Sequence, residues 1–187
     1  MPGIDETRPF VALKIAVLTV SDSRDLASDK SGATLTERIA GAGHVLAARD
    51  IVPDEVEHIR EVVKDWISNP AIDVVITTGG TGFTGRDVTP EALEPLFEKR
   101  MEGFSTVFHM ISHAKIGTST LQSRATAGVA NSTYIFCLPG SPGACRDGWD
   151  EILANQLDLR YRPCNFVEIL PRLDEHLKRE KAKGAVV

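Results

Sequence analysis

Cysteine is scarce in this chain: Cys137, Cys145 and Cys164 are the only three in 187 residues, and no two of them form a C-x-x-C pair. An odd, widely spaced set supplies neither a disulfide framework nor a zinc-ligand pattern, so a reduced, cytoplasmic compartment is expected. Cys137, inside an apolar run, reads as a buried small residue. Long hydrophobic runs are missing too, and none approaches the ~18 residues of a membrane span. The first ten residues carry Asp5, Glu6 and two prolines where a secretory leader needs a basic start and an apolar stretch. Positive charge is in deficit: 21 Lys+Arg against 26 Asp+Glu leave a net charge of −5. That balance argues against a broad grip on nucleic acid or an anionic membrane, so any anionic ligand has to be held locally. Internal repeats, linkers and low-complexity segments are also lacking.

What is present is an ordinary globular composition, 42% apolar and 25% charged, on a chain of single-domain length. Residues 1–13 read as an N-terminal extension, 14–170 as one α/β domain and 171–187 as a charged tail. Lys14 to Val20 is short, apolar and β-branched, the pattern of a strand covered on both faces. Leu35, Ile39 and Ala42 recur at helical spacing before a terminating Gly43. His44 to Val52 reads as a second strand. Asp54 heads a helix with the stripe Val56, Ile59, Val63, Trp66 and Ile67, stopped by Asn69-Pro70. Ile72 to Thr77 is a buried strand, and a helix begins near Thr89-Pro90. Phe104, Val107, Phe108 and Ile111 mark a helix face, free to be buried within or between subunits. Thr118 to Arg124 reads as a polar connection, Ala125 to Val129 as a short edge strand, and Tyr134 to Leu138 as a strand. A last long helix spans about Ala144 to Leu159 with Gly148 as its weak point, and Arg172 to Lys183 is charged and frays. The alternation predicts a three-layer α/β/α fold around a mostly parallel central sheet.

Ligands of such sheets bind beyond the carboxyl ends of the strands. Three loops lie there: Ser21 to Arg24, Thr78 to Asp87, and Pro139 to Gly143. In the second, Gly79, Gly80 and Gly82 leave amides unshielded by side chains, suited to phosphate oxygens or simply to a tight strand-to-helix turn. Gly80 to Gly85 satisfies G-x-G-x-x-G, but the helix starts only near Thr89 and no acidic strand end follows at the expected distance, so the match is accidental; the Gly-Lys-Ser/Thr of a Walker A loop is absent. Asp54 and Asp87 are placed to face one cleft, an arrangement that makes sense if Mg²⁺ bridges them to phosphates. Taken singly, Asp54 reads as a helix cap and Asp87 as a turn residue. His109 and His113 lack the Glu of H-E-x-x-H and read as packing or surface residues. Asn131-Ser132-Thr133 matches a glycosylation acceptor that a cytoplasmic chain would never use.

Thr77-Thr78-Gly79-Gly80-Thr81-Gly82, Arg86-Asp87-Val88-Thr89-Pro90-Glu91-Ala92 and Leu138-Pro139-Gly140-Ser141 together resemble the MoaB/MogA molybdopterin-binding family, over about Lys14 to Phe166. Ile116 to Arg124, Ala127 to Asn131 and Arg162 to Phe166 resemble its MoaB branch most closely. The resemblance implies a molybdenum cofactor biosynthesis protein that forms trimers or hexamers and binds molybdopterin. Catalytic members use Mg²⁺ and ATP to adenylylate it, and other cofactor-biosynthesis proteins are implied as partners, with no nucleic acid or membrane involved. Carried over by motif position, Asp54 and Asp87 organise the metal and the chemistry. Gly79, Gly80, Thr81 and Gly82 hold phosphate or nucleotide groups, Ser21, Asp22, Pro139, Gly140 and Ser141 shape the same cleft, and Ser112 and Ser123 lie near the pterin. One segment departs from the family pattern: where many relatives carry a Gly-Glu pair and then an arginine, this chain has Ser105, Thr106 and His109. A carrier or scaffold that binds molybdopterin without turnover is therefore the alternative.

Overall fold

The computed structural model describes residues 1–175. In chain order the elements are β1 (Gly3–Ile4), β2 (Lys14–Val20), α1 (Lys30–Gly41), β3 (Val45–Val52), α2 (Val56–Ser68), β4 (Val74–Thr78), α3 (Thr89–Leu93), β5 (Lys99–Arg100), α4 (Glu102–Ile116), β6 (Thr126–Ala130), β7 (Thr133–Leu138), α5 (Pro142–Gly148), α6 (Ala154–Gln156), β8 (Tyr161–Arg162) and α7 (Phe166–Ile169). Six strands form one sheet in the order β3-β2-β4-β7-β6-β5, and β1 pairs with β8 in a separate two-stranded ribbon.

Alternation of side chains along each strand divides the core into two layers. Ile15, Val17, Val74, Ile76, Tyr134, Phe136 and Leu138 point to one face, where α1, α4 and the chain after β7 cover them. Ala16, Leu18, Val20, Val75, Ile135 and Cys137 point to the other, against α2 and α3. Covered on both sides, β2, β4 and β7 are nearly continuous in apolar residues, with threonine as the buried polar residue they admit. Phe104 and Phe108 are 4% and 2% exposed in the first layer. They are thus buried inside the subunit, and α4 turns Val107 and Met110 outward instead.

The four strands β3-β2-β4-β7 are parallel, and β6 and β5 add antiparallel pairs, so the sheet is mixed. The 125–129 segment is not an edge strand: β6 spans Thr126–Ala130 and is flanked by β7 and β5. The two-residue β5 carries no hydrophobic signature that would have revealed it. The polar 118–124 connection contains a 3₁₀ segment, Gly117–Gln122. The expected long helix 144–159 is present as one continuous helical run over 142–156, in which a π-helical turn, Trp149–Leu153, joins α5 to the short α6. A Cβ on Gly148 would lie 2.6 Å from Leu138 Cδ2, so glycine is what lets this helix lie against β7. Residues 1–13 pack on the domain through β1, and of the expected 172–183 tail residues 176–183 lie outside the described part.

Because α1 covers one face of the sheet and α2 the other, the chain switches sides between β2 and β4. The loops leaving their carboxyl ends therefore diverge around a crevice.

Candidate functional site

Four loops meet at that crevice, each leaving the carboxyl end of a parallel strand. Ser21-Asp22 follows β2, Pro53-Asp54-Glu55 follows β3, residues 79–88 follow β4, and Pro139-Gly140-Ser141 follows β7. The first two are stitched to each other by a reciprocal pair: the Asp22 amide donates to Asp54 Oδ2 and the Asp54 amide to Asp22 Oδ1, both at 3.1 Å. Asp54 is accordingly no helix cap. The cap position of α2 is Glu55, whose side chain makes no capping bond, and the Asp54 carboxylate turns to the glycine loop instead.

Gly79 and Gly80 adopt φ of +106° and +61°. A Cβ on Gly79 would stand 2.1 Å from the Val20 carbonyl oxygen, and one on Gly80 2.4 Å from Thr89 Oγ1 and 2.9 Å from Asp54 Oδ1. Both positions demand glycine for conformation and for space. The loop is pinned at its ends: the Gly79 amide donates to Leu138 O at 3.1 Å, and the Thr89 amide and hydroxyl donate to Gly80 O and Gly79 O. Between these pins the Gly80 and Thr81 amides find no acceptor among the described residues. Asp87 folds back over the loop, accepting from the Thr84 amide at 2.8 Å and hydroxyl at 2.6 Å, with its carboxylate 2.8 Å from where a Cβ on Gly82 would sit.

Charge distinguishes the two aspartates. Asp54 is pushed above its ordinary value, first by burial and then by the like charge of Asp22, with Asp87 adding to it. Burial would raise Asp87 as well, but the Thr84 hydroxyl and amide, the Gly82 amide and the Arg124 charge outweigh it and hold Asp87 below its ordinary value. The structure thus brings Asp54 and Asp87 within electrostatic reach of each other and of Gly80 and Gly82.

Two arginines that the sequence reading left without a role tie the crevice together. Arg86 forks onto Asp22 at 2.9 and 2.8 Å. Arg124 donates from Nε to Gly82 O at 2.8 Å and from Nη2 to Asp87 O at 2.9 Å, and pairs with Glu91. Its amide also bonds Thr81 O. Arg86 sits inside a recognisable motif, whereas nothing local to residue 124 signals that it returns to a loop 40 positions earlier. At the β7 loop, Gly140 O accepts from Arg24 and from Ser31, and the Ser141 hydroxyl caps α5 at the Ala144 amide. Gly140 approaches Gly79 so closely that a Cβ would lie 3.1 Å from Gly79 Cα.

Gly82, Phe83, Thr84, Asp87 and Gln122 line a cavity of about 390 Å³. A larger one, about 530 Å³, has Arg124, Ser123, Ser105 and His109 in its wall. Ser123 lies there with its hydroxyl 3.5 Å from that of Thr81. Ser112 is buried on α4, and no hydrogen bond among the described residues joins it to the loops. His109 sits with its ring nitrogens 2.7 Å from Ser105 O and 3.0 Å from Ser123 O, while His113 is exposed. Among the described residues no three His, Cys, Asp or Glu side chains are placed to hold a metal ion unaided. None of the described helices is long and apolar enough to cross a membrane.

Residues 16–159 match the family described as "Probable molybdopterin binding domain". Molybdenum cofactor biosynthesis protein B of Escherichia coli K12 is 52% identical over 157 residues, covering 84% of this chain and 92% of that protein. A crystal structure of a molybdenum cofactor biosynthesis protein B superposes with a TM-score of 0.78 at 38% identity, over 80% of this chain and 94% of the other. The tungsten cofactor synthesizing protein MoaB of Pyrococcus furiosus does so with a TM-score of 0.69 at 36% identity, over 77% and 92%.

Proposed function

Because the chain belongs to the molybdopterin-binding domain family of molybdenum cofactor biosynthesis proteins, on its MoaB side, we propose that it binds molybdopterin and adenylylates it with Mg²⁺-ATP, releasing pyrophosphate. The observation that carries this reading is the meeting of Asp54 and Asp87 with a glycine loop whose Gly80 and Thr81 amides are unengaged. Two polyanions require donors and compensating charge: the amides are the donors, and the two carboxylates would hold the cation that compensates the charge.

The residues fit a magnesium ion. Asp54, raised by burial and by two neighbouring carboxylates, is a hard oxygen donor in want of positive charge. One or two carboxylates completed by phosphate oxygens and water is the usual Mg²⁺ arrangement, which a protein need not cage by itself. When bound, the ion supplies charge neutralisation at the phosphates. The protein's part is to align the reactants and stabilise negative charge as it shifts. The molybdopterin phosphate attacks the α-phosphorus of ATP. A new phosphorus–oxygen bond forms as the bond to pyrophosphate breaks, and an ionised phosphate needs no general base. The Gly80 and Thr81 amides are the donors for phosphate oxygens, Arg124 holds their loop, and Ser21, Pro139, Gly140 and Ser141 wall the crevice. The larger cavity, with Ser123 in its wall, is the place for the pterin. Self-association as a trimer or hexamer belongs to the same reading and is read by light scattering.

A single-turnover assay with molybdopterin, Mg²⁺ and ATP tests the chemistry. Adenylylated product is expected, with Asp87→Ala lowering its formation by about 10²-fold or more while pterin binding persists. Binding without product would instead establish the carrier reading, which is favoured by Ser105 and His109 standing in the wall of the larger cavity where no Arg or Lys takes the place of His109.

A further inference from the structure

We propose that Arg86 is a ligand for the phosphate chain at this crevice and that Asp22 parks it there until a polyphosphate displaces the carboxylate. The inference rests on the nucleotide reading above and assigns Arg86 and Asp22 roles within it.

The observation is a contrast among the cations of the site. Arg124 is spent on two backbone carbonyls and Glu91, and Arg24 reaches Ser31 and Gly140 O. Arg86 alone of the three has only carboxylates within reach among the described residues: Asp22 through both arms of the fork, and Glu55 at 3.9 Å. Both members of the Arg86–Asp22 pair stand open to solvent, their side chains 56% and 43% exposed. An exposed pair of this kind is worth little net free energy. The guanidinium fork matches a phosphate at least as well as a carboxylate, against a larger negative charge. Replacing Asp22 by phosphate is therefore downhill.

Asp22 is also placed to hold the arginine where a phosphate would meet it. Its carboxylate position is fixed by the crossed amide bonds with Asp54, so the parked guanidinium waits beside Asp54 and on the same loop as Asp87. Arg86 lies on the segment between Gly85 and Asp87 that bridges the glycine loop and α3, and its exchange of partners needs only side-chain rotation. In the ligand-free state the pair keeps the cation from leaving the mouth and relieves the repulsion among Asp22, Asp54 and Glu55.

Calorimetric titration of inorganic triphosphate at saturating Mg²⁺ into the wild type, Arg86→Ala, Asp22→Asn and the double variant tests the exchange. Arg86→Ala is expected to weaken binding about tenfold, a charge-assisted bond lost. Asp22→Asn, which keeps an acceptor for the Asp54 amide, is expected to strengthen it about threefold, within the range of an exposed pair. The double variant should bind as weakly as Arg86→Ala, because the gain exists only if there is an arginine to release. Arg86→Lys keeps the charge without the fork and should fall between wild type and Arg86→Ala, so the test survives if the alanine variant is poorly folded. Equal strengthening by Asp22→Asn in both backgrounds would reduce Asp22 to a repelling charge and overturn the parking role. Affinity of Arg86→Ala within twofold of wild type would overturn the ligand role. In both cases wild-type binding leaves the nucleotide reading intact, whereas a wild type that binds no triphosphate removes that reading and this inference together.

Discussion

Asp54 is where function and stability pull apart. Burial and like charges raise its folded-state value above the ordinary one, so the folded chain prefers the protonated form and ionisation opposes folding. That penalty is absent well below the ordinary carboxylate value and complete above the raised one. Asp54→Asn should therefore raise the melting temperature of the ligand-free protein at pH 7, by about 2 °C once solvent screening is allowed for. The gain should vanish as the pH falls below the carboxylate range. Scanning calorimetry at pH 7 and pH 3 reads both arms, and equal melting at pH 7 would refute the charge argument. Gly79 makes the complementary point about space. With φ at +106° and the Val20 carbonyl 2.1 Å from a would-be Cβ, Gly79→Ala should cost roughly 2–4 kcal/mol in urea unfolding. The glycines and both aspartates were legible as candidates because their residue types restrict the chemistry available to them. Arg124 was not, since its partners Gly82 O and Asp87 O are backbone atoms that carry no sequence signal.

Among the elements, α1 shows how a single side chain secures a helix to the sheet that precedes it. Asp29 is 1% exposed and caps α1 at the Gly32 amide while accepting from Thr19 Oγ1 and Arg49. Burial alone would raise its carboxyl, but those three partners prevail and hold it below the ordinary value. Its stabilising contribution is thus present above the ordinary carboxylate value and lost as the pH falls through the lowered one. Asp29→Ala removes a cap and strands Arg49, and should lower stability by about 2–4 kcal/mol at pH 7. The deficit should shrink in acid, where chemical unfolding at both pH values measures it. Helices α1 and α2 announced themselves by apolar spacing. The π turn after Gly148 did not, because the apolar periodicity of Trp149, Ile152 and Leu153 suits a π turn as readily as an α-helix.

Across the whole molecule, the crevice and the N-terminal segment lie at opposite ends of the sheet. Residues 1–13 run from the β1–β8 ribbon to the start of β2. Phe10 packs on His44 at 5.2 Å with Arg160 over its ring at 5.3 Å, and Arg8 pairs with Glu168 at 2.9 Å. Removing residues 1–12 takes away the Phe10 burial and the ribbon, and is expected to lower the melting temperature by about 5 °C. Triphosphate affinity should stay within twofold of the full chain, because none of these contacts reaches the carboxyl ends of β2 and β4. A larger loss of affinity, measured by the same titration, would show that the two ends are coupled.

The amino-acid sequence by itself determined the alternation of strands and helices, the doubly covered strands and the candidate loop, since apolar period and glycine placement are local properties. It also carried the family, through motifs too specific in combination to arise from composition. Only the tertiary structure decided that Phe104 and Phe108 are buried within the subunit, that β5 flanks β6, and that Asp54 turns to the glycine loop instead of capping α2. The same holds for Arg86 and Arg124, which act on partners dozens of residues away. Contacts between segments distant along the chain depend on how strands are ordered in the sheet and on where the chain crosses from one face to the other. Neither is written in any local window of residues.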